Sequence, residues 1–91
     1  MRIPKQITVG KTTYSINQRR KPRRRCTVGE VCYEAGYIDI VTHSNWTGRA
    51  FKHEELSDTF WHELTHAILH EMKHPLRDDE AFVTQFSSLL N

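Results

Sequence analysis

Ninety-one residues, 26% charged and 37% hydrophobic, make one small domain of ordinary composition. The formal charge of +2 hides a division: residues 1–25 hold nine Lys/Arg and no acid, whereas residues 26–91 hold four Lys/Arg against all eleven Asp/Glu. No apolar run nears the roughly 20 residues of a membrane span, Met1-Arg2-Ile3-Pro4-Lys5 lacks a secretory h-region, and Cys26 and Cys32 are too few for a disulfide framework, so a cytoplasmic, reducing location with no membrane partner is expected.

Gln6-Ile7-Thr8-Val9 alternates polar and apolar, Gly10-Lys11 reads as a turn, and Thr12-Thr13-Tyr14-Ser15-Ile16-Asn17 alternates again. This predicts a β-hairpin. The run Arg19-Arg20-Lys21-Pro22-Arg23-Arg24-Arg25 breaks the pattern and reads as an exposed basic loop. A second β-rich stretch spans residues 28–34, with Val31 and Tyr33 on one face and Cys32 on the other. After the tight turn at Ala35-Gly36, Tyr37-Ile38-Asp39-Ile40-Val41-Thr42 forms a strand with Ile38 and Ile40 on one face. Four short antiparallel strands are predicted, their order open. Tyr14 and Tyr33 read as packing residues, Cys26 and Cys32 as strand thiols, Trp46 and Trp61 as core or loop anchors.

His43-Ser44-Asn45-Trp46-Thr47-Gly48-Arg49 is loop chemistry. A helix is predicted from about Glu54, with Ser57 or Asp58 as N-cap if it starts later. Trp61, Leu64, Ile68 and Met72 would form its buried stripe, and Pro75 would end it. Within it stands His62-Glu63-Leu64-Thr65-His66. Histidines four apart project from one helix face about one turn, roughly 6 Å, apart. Both imidazoles can then reach one zinc ion at about 2.0–2.1 Å. Glu63, rotated about 100° from His62, faces the same cleft, placed to take a proton from an activated water and give it to a leaving amine.

A catalytic zinc has three protein ligands and an open position. The third is expected on a last helix running from about Arg77 to Leu90, with Val83, Phe86 and Leu90 as its apolar face. Glu80, fourteen residues after His66, is the choice. Asp79 and Asp78 are rivals, and all three acids also suit a helix N-terminus. His70 is a weaker candidate, one turn further along the same helix. His74 reads as solvated surface.

Tyr37-Ile38-Asp39-Ile40, then Thr59-Phe60-Trp61-His62-Glu63-Leu64-Thr65-His66-Ala67-Ile68-Leu69, then Asp79-Glu80-Ala81-Phe82-Val83-Thr84-Gln85-Phe86 resemble the minimal zincin-like (gluzincin) metallopeptidases of the ImmA/IrrE type, and more distantly SprT-like domains. The likeness covers roughly residues 28–91 and extends to small phage and prophage proteins of this plan, which implies a host-cytoplasmic location. It implies His62, His66 and Glu80 as zinc ligands and Glu63 as general base. Thr65 stands where the family usually has glycine. The metzincin extension is absent, with Leu69 and Met72 at its Gly and His positions.

The expected architecture is thus a single α+β domain over residues 1–91: a small, mostly antiparallel sheet packed on the H-E-x-x-H helix and closed by a C-terminal helix, zincin-like. The expected function is zinc-dependent peptide hydrolysis. The substrate would add as a strand along Tyr37 to Thr42, and His43 or Tyr37 would stabilise the oxyanion. The basic run from Arg19 to Arg25 would meet nucleic acid or an acidic partner. The reading from another class is a nucleic-acid- or protein-binding module with structural zinc and no catalysis, using that loop. An open coordination position separates the two.

Overall fold

The computed structural model describes residues 1–23 and 27–91; Arg24 and Arg25 of the basic run, and Cys26, lie outside them. The alternating segments around Gly10-Lys11 fold as the expected hairpin. Gln6–Val9 (β1) pairs antiparallel with Thr12–Arg19 (β2), Val9 opposite Thr12. Gly10 takes the positive φ of 62° that the tight connection requires.

Gly29–Cys32 (β3) and Tyr37–Val41 (β4) also pair antiparallel, Gly29 opposite Ile40. β4, however, lies beside β2 and parallel to it, Ser15 opposite Tyr37 and Arg19 opposite Val41. The order is β1-β2-β4-β3, so the expected mostly antiparallel sheet is mixed. Parity is the reason. The chain reverses once into β3 and again into β4, so a strand settling beside β2 must run its way. Burial selects that place: Ile38, Asp39, Ile40 and Val41 are all buried, on both faces of the sheet, as befits an interior strand. Tyr37 to Thr42 therefore offers no edge to an added strand; the outer strands are β1 and β3.

His53–Glu71 (α1) crosses one face of this sheet. Its start is Lys52, whose N–H donates to Glu55 Oε1 at 3.0 Å; neither Ser57 nor Asp58 caps it, and Ser57 is buried inside it. Phe60, Leu64 and Ala67 form the core with Tyr14, Ile16, Ile38 and Ile40. This corrects the expected stripe: Ile68 and Met72 are exposed. Phe60-Leu64-Ala67 and Leu64-Ile68-Met72 are overlapping helical rows, and spacing alone could not choose between them. Trp61 packs at the core's margin, edge-on to Phe60 at 5.4 Å, whereas Trp46 is 90% exposed and anchors nothing. Tyr14 is fully buried and Tyr33 half-buried against the core, as packing residues should be; Cys32 is a half-buried free thiol.

Glu80–Ser88 (α2) is shorter than the expected span from Arg77 to Leu90. Asp79 sets its start, its side chain accepting from the Phe82 N–H at 3.0 Å. Val83 and Ser87 are buried, but Phe86 and Leu90 stay exposed. No described helix is long and apolar enough to cross a membrane.

The other face of the sheet carries Asp39, 2% exposed and ion-paired with Arg23. Asn17 Nδ2 donates to it at 3.0 Å, and Arg19 lies at 4.0 Å. Arg23 also stacks over the Tyr37 ring at 4.4 Å. The described part of the basic run is exposed at Arg20, Lys21 and Arg23, as expected, but it is tied to the sheet at both ends. Arg19 belongs to β2, and Arg23 is drawn back onto the sheet because Asp39 would otherwise be a buried, uncompensated charge.

The two helical rows make a direct test. Leu64→Ala should lower unfolding free energy by about 3 kcal/mol in urea titrations, and Met72→Ala by less than about 0.5 kcal/mol. Equal costs would put α1 in the wrong rotation.

Candidate metal centre

Residues 59–69 of α1 serve two surfaces at once. Leu64 and Ala67 face the sheet, while His62, Glu63 and His66 line a cavity of about 420 Å³ with Thr27, Val28, Gly29, Asp58, Thr59 and Glu80. Histidines one turn apart bring their rings to 5.0 Å, inclined by 69°. The chain leaves α1 at Met72, reverses through Lys73 at positive φ (53°) and Pro75, and returns as α2 packed on α1. The Asp79 cap makes Glu80 the first residue of α2, and that places its carboxylate between the two rings. Glu80 Oε2 lies 3.2 Å from His62 Nε2 and Oε1 lies 2.7 Å from His66 Nε2.

The chemistry of this contact is specific. His66 Nδ1 sits 2.8 Å from the carbonyl oxygen of Arg77. A carbonyl can only accept, so Nδ1 carries the hydrogen and, in the neutral ring, Nε2 carries the lone pair. That lone pair faces a carboxylate. Two acceptors at 2.7 Å call for a cation between them, either a proton on the ring or a metal. The ligand atoms of His62, His66 and Glu80 all lie within 4.8 Å of one another, and a backbone carbonyl on the far ring nitrogen is the usual support for a ligating histidine. His66 is 10% exposed, His62 24% and Glu80 67%, so the group is closed on the α1 side and open toward solvent.

Glu63 lies behind the histidines, under β3, and is 9% exposed. Burial pushes its carboxyl up to about 7. His66 pulls the other way, and the carboxylates of Glu80 and Glu30 add to the rise. Gly29 allows the close approach: a Cβ there would stand 2.6 Å from Thr59 Cγ2 and 3.0 Å from Glu63 Oε2.

The motif and Glu80 thus come together as expected, and the other candidates do not. Asp79 is committed to capping α2, and Asp78 is a solvent-exposed neighbour of Arg77. His70 stacks flat on Tyr33 at 3.7 Å. His74 is half-buried, its Nδ1 accepting from the Leu76 N–H, instead of solvated. His43 bonds Thr42 Oγ1 and Arg20, and Tyr37 lies under Arg23. Neither lines the cavity, so both fail as oxyanion partners; they sit on the sheet's far side or beyond its end. The sequence reading missed the Arg77 carbonyl, which no side chain announces, and Gly29, whose signal was a lone glycine entering a strand.

No family model, curated protein or solved structure matches the chain.

Gly29→Ala should cost about 1–3 kcal/mol of stability in urea titrations, from overpacking against Thr59 and Glu63. A variant as stable as the parent would mean that β3 does not press on this part of α1.

Proposed function

We propose that this protein is a zinc-dependent peptidase of the minimal zincin-like kind, with His62, His66 and Glu80 holding the metal and Glu63 acting as general base. The observation that carries the reading is the meeting of two imidazole nitrogens and a carboxylate with an open side, beside the buried carboxyl of Glu63, which stands outside that group. Two nitrogens and one oxygen donor suit zinc, and three protein ligands leave room for water and substrate. When bound, zinc supplies Lewis acidity, polarising a carbonyl and bringing the pKa of water toward neutrality.

The chain's own residues do the rest. Arg77 holds the His66 ring in one tautomer through its carbonyl. Glu63, kept from bulk water by Gly29 and Thr59, accepts the proton of the attacking water on its carboxylate and returns it to the leaving amine. β3 replaces the strand between Tyr37 and Thr42 as the docking edge. Among the described strands it neighbours β4 alone, and the residues leading into it, Thr27 and Val28, wall the cavity. An extended peptide added along β3 would run past the metal ligands. His43 and Tyr37 have no part in this scheme.

The parent should bind one Zn²⁺ per chain in a chelator-competition titration, and His62→Ala, His66→Ala and Glu80→Ala should each weaken it by more than tenfold. Asp79→Ala should bind zinc with a loss of about 1 kcal/mol of stability. Glu63→Gln should keep the metal and lose about 10²–10⁴-fold in the rate of cleavage of a fluorogenic peptide library. Undiminished cleavage by Glu63→Gln, or undiminished zinc binding by all three single ligand variants, sinks the proposal.

A further inference from the structure

A larger cavity lies elsewhere among the described residues. It measures about 820 Å³ against about 420 Å³ for the metal cavity, and the two share no lining residue. The sheet makes it. β1 stops at Gln6, opposite Ser15, and Lys5 contributes one more bond through its carbonyl to the Ile16 N–H at 2.8 Å. The chain before Lys5 then leaves the sheet, so the last residues of the longer β2, Asn17 to Arg19, border a groove. The N-terminal segment is fastened across it: the Met1 carbonyl accepts from the His53 ring at the start of α1, and Ile3 is buried in the core.

Arg2 and Lys5 from this segment, and Arg19 and Arg23 from the end of β2 and beyond, all line the groove, with no Asp or Glu among its lining residues. Asp39 beneath it pairs with Arg23 and approaches Arg19. Among the described residues, one buried carboxylate faces four lining cations, an excess of three positive charges before the exposed Arg20 and Lys21 are counted. The fold has thus brought together two basic segments more than a dozen residues apart.

We propose that this groove binds the phosphate backbone of a nucleic acid, without reading its bases. A row of arginines and a lysine along a concave surface matches a chain of regularly spaced anions. No Phe, Tyr or Trp lines it, and its one ring, His53, is held by the Met1 carbonyl, so the groove offers no stacking platform for successive bases. Its two isoleucines, Ile3 and Ile16, are buried and Pro4 is half-buried, so it has no large apolar side chain to insert into a bilayer. The site is separate from the zinc centre and does not depend on peptidase activity.

The test is fluorescence anisotropy of a labelled random-sequence 20-base-pair DNA duplex with the full chain between 50 and 200 mM NaCl. About three to four phosphates neutralised predict a slope of log K against log salt near −3. Arg2→Glu/Lys5→Glu should weaken binding at least tenfold at 50 mM NaCl and flatten the slope by about 2. Arg49→Glu/Lys73→Glu, the same charge change outside the groove, should stay within about threefold. Should the first pair disturb the circular dichroism spectrum, the single variants Arg2→Ala and Lys5→Ala carry the test, each flattening the slope by about 1. Absent binding at 50 mM NaCl, or equal weakening by both charge-reversed pairs, overturns the proposal. So does Arg2- and Lys5-dependent binding of phosphatidylserine vesicles or polyglutamate in place of DNA.

Discussion

His66 is engaged at both ring nitrogens, by the Arg77 carbonyl on Nδ1 and by the Glu80 carboxylate facing Nε2. The two contacts come from one short stretch of chain, the end of the α1–α2 connection and the first residue of α2. With the Asp79 cap setting the start of α2, they hold its first turn against α1 and leave one atom of the imidazole to meet a cation. The packing of Leu64 and Ala67 on the sheet fixes the other side of the same helix turns. Because the core and the site occupy adjacent faces of α1, a rotation of that helix would damage both together.

Local pattern made the hairpin legible, because alternation and a turn glycine act within a few residues. The H-E-x-x-H residues and Glu80 were legible for a related reason: helix geometry fixes the spacing of the first three, and a short turn limits where the fourth can return. The parallel pairing of β2 with β4 was not. It is decided by burial of Ile38 to Val41 on both faces, which competes with no local signal. The stripe of α1 was misjudged because Ser57, Glu63, Thr65 and His66 are buried alongside its apolar residues; binary patterning treats such residues as solvent-facing. The pairing of Arg23 with Asp39 was hidden for the same reason, since a charge in a basic run gives no hint of a partner sixteen residues away on a strand.

The division of charge along the sequence becomes a division in space. His62, His66 and Glu80 gather where α1 meets α2 and a cation would be held, and Arg2, Lys5, Arg19 and Arg23 gather around the end of β2. Asp39 is the exception that ties the two together. It is a buried acid among cations, and it holds the chain after β2 against the sheet, whereas the remaining cations stay turned to solvent. Opposed fields of this kind favour different ligands at the two ends without either interfering with the other.

α2 is nine residues long and, among the described elements, packs on α1 alone. A helix that short has little stability of its own in water, and only Val83 and Ser87 are buried beneath it. Yet it carries Glu80, the one carboxylate of the group that could hold a metal. In the proposed metal site the C-terminal helix would therefore act as a latch: closed, it would bring the third donor to the two imidazoles, and undone, it would withdraw that donor without disturbing the sheet. Metal exchange would then be timed by the fraying of the tail and not by passage through the protein.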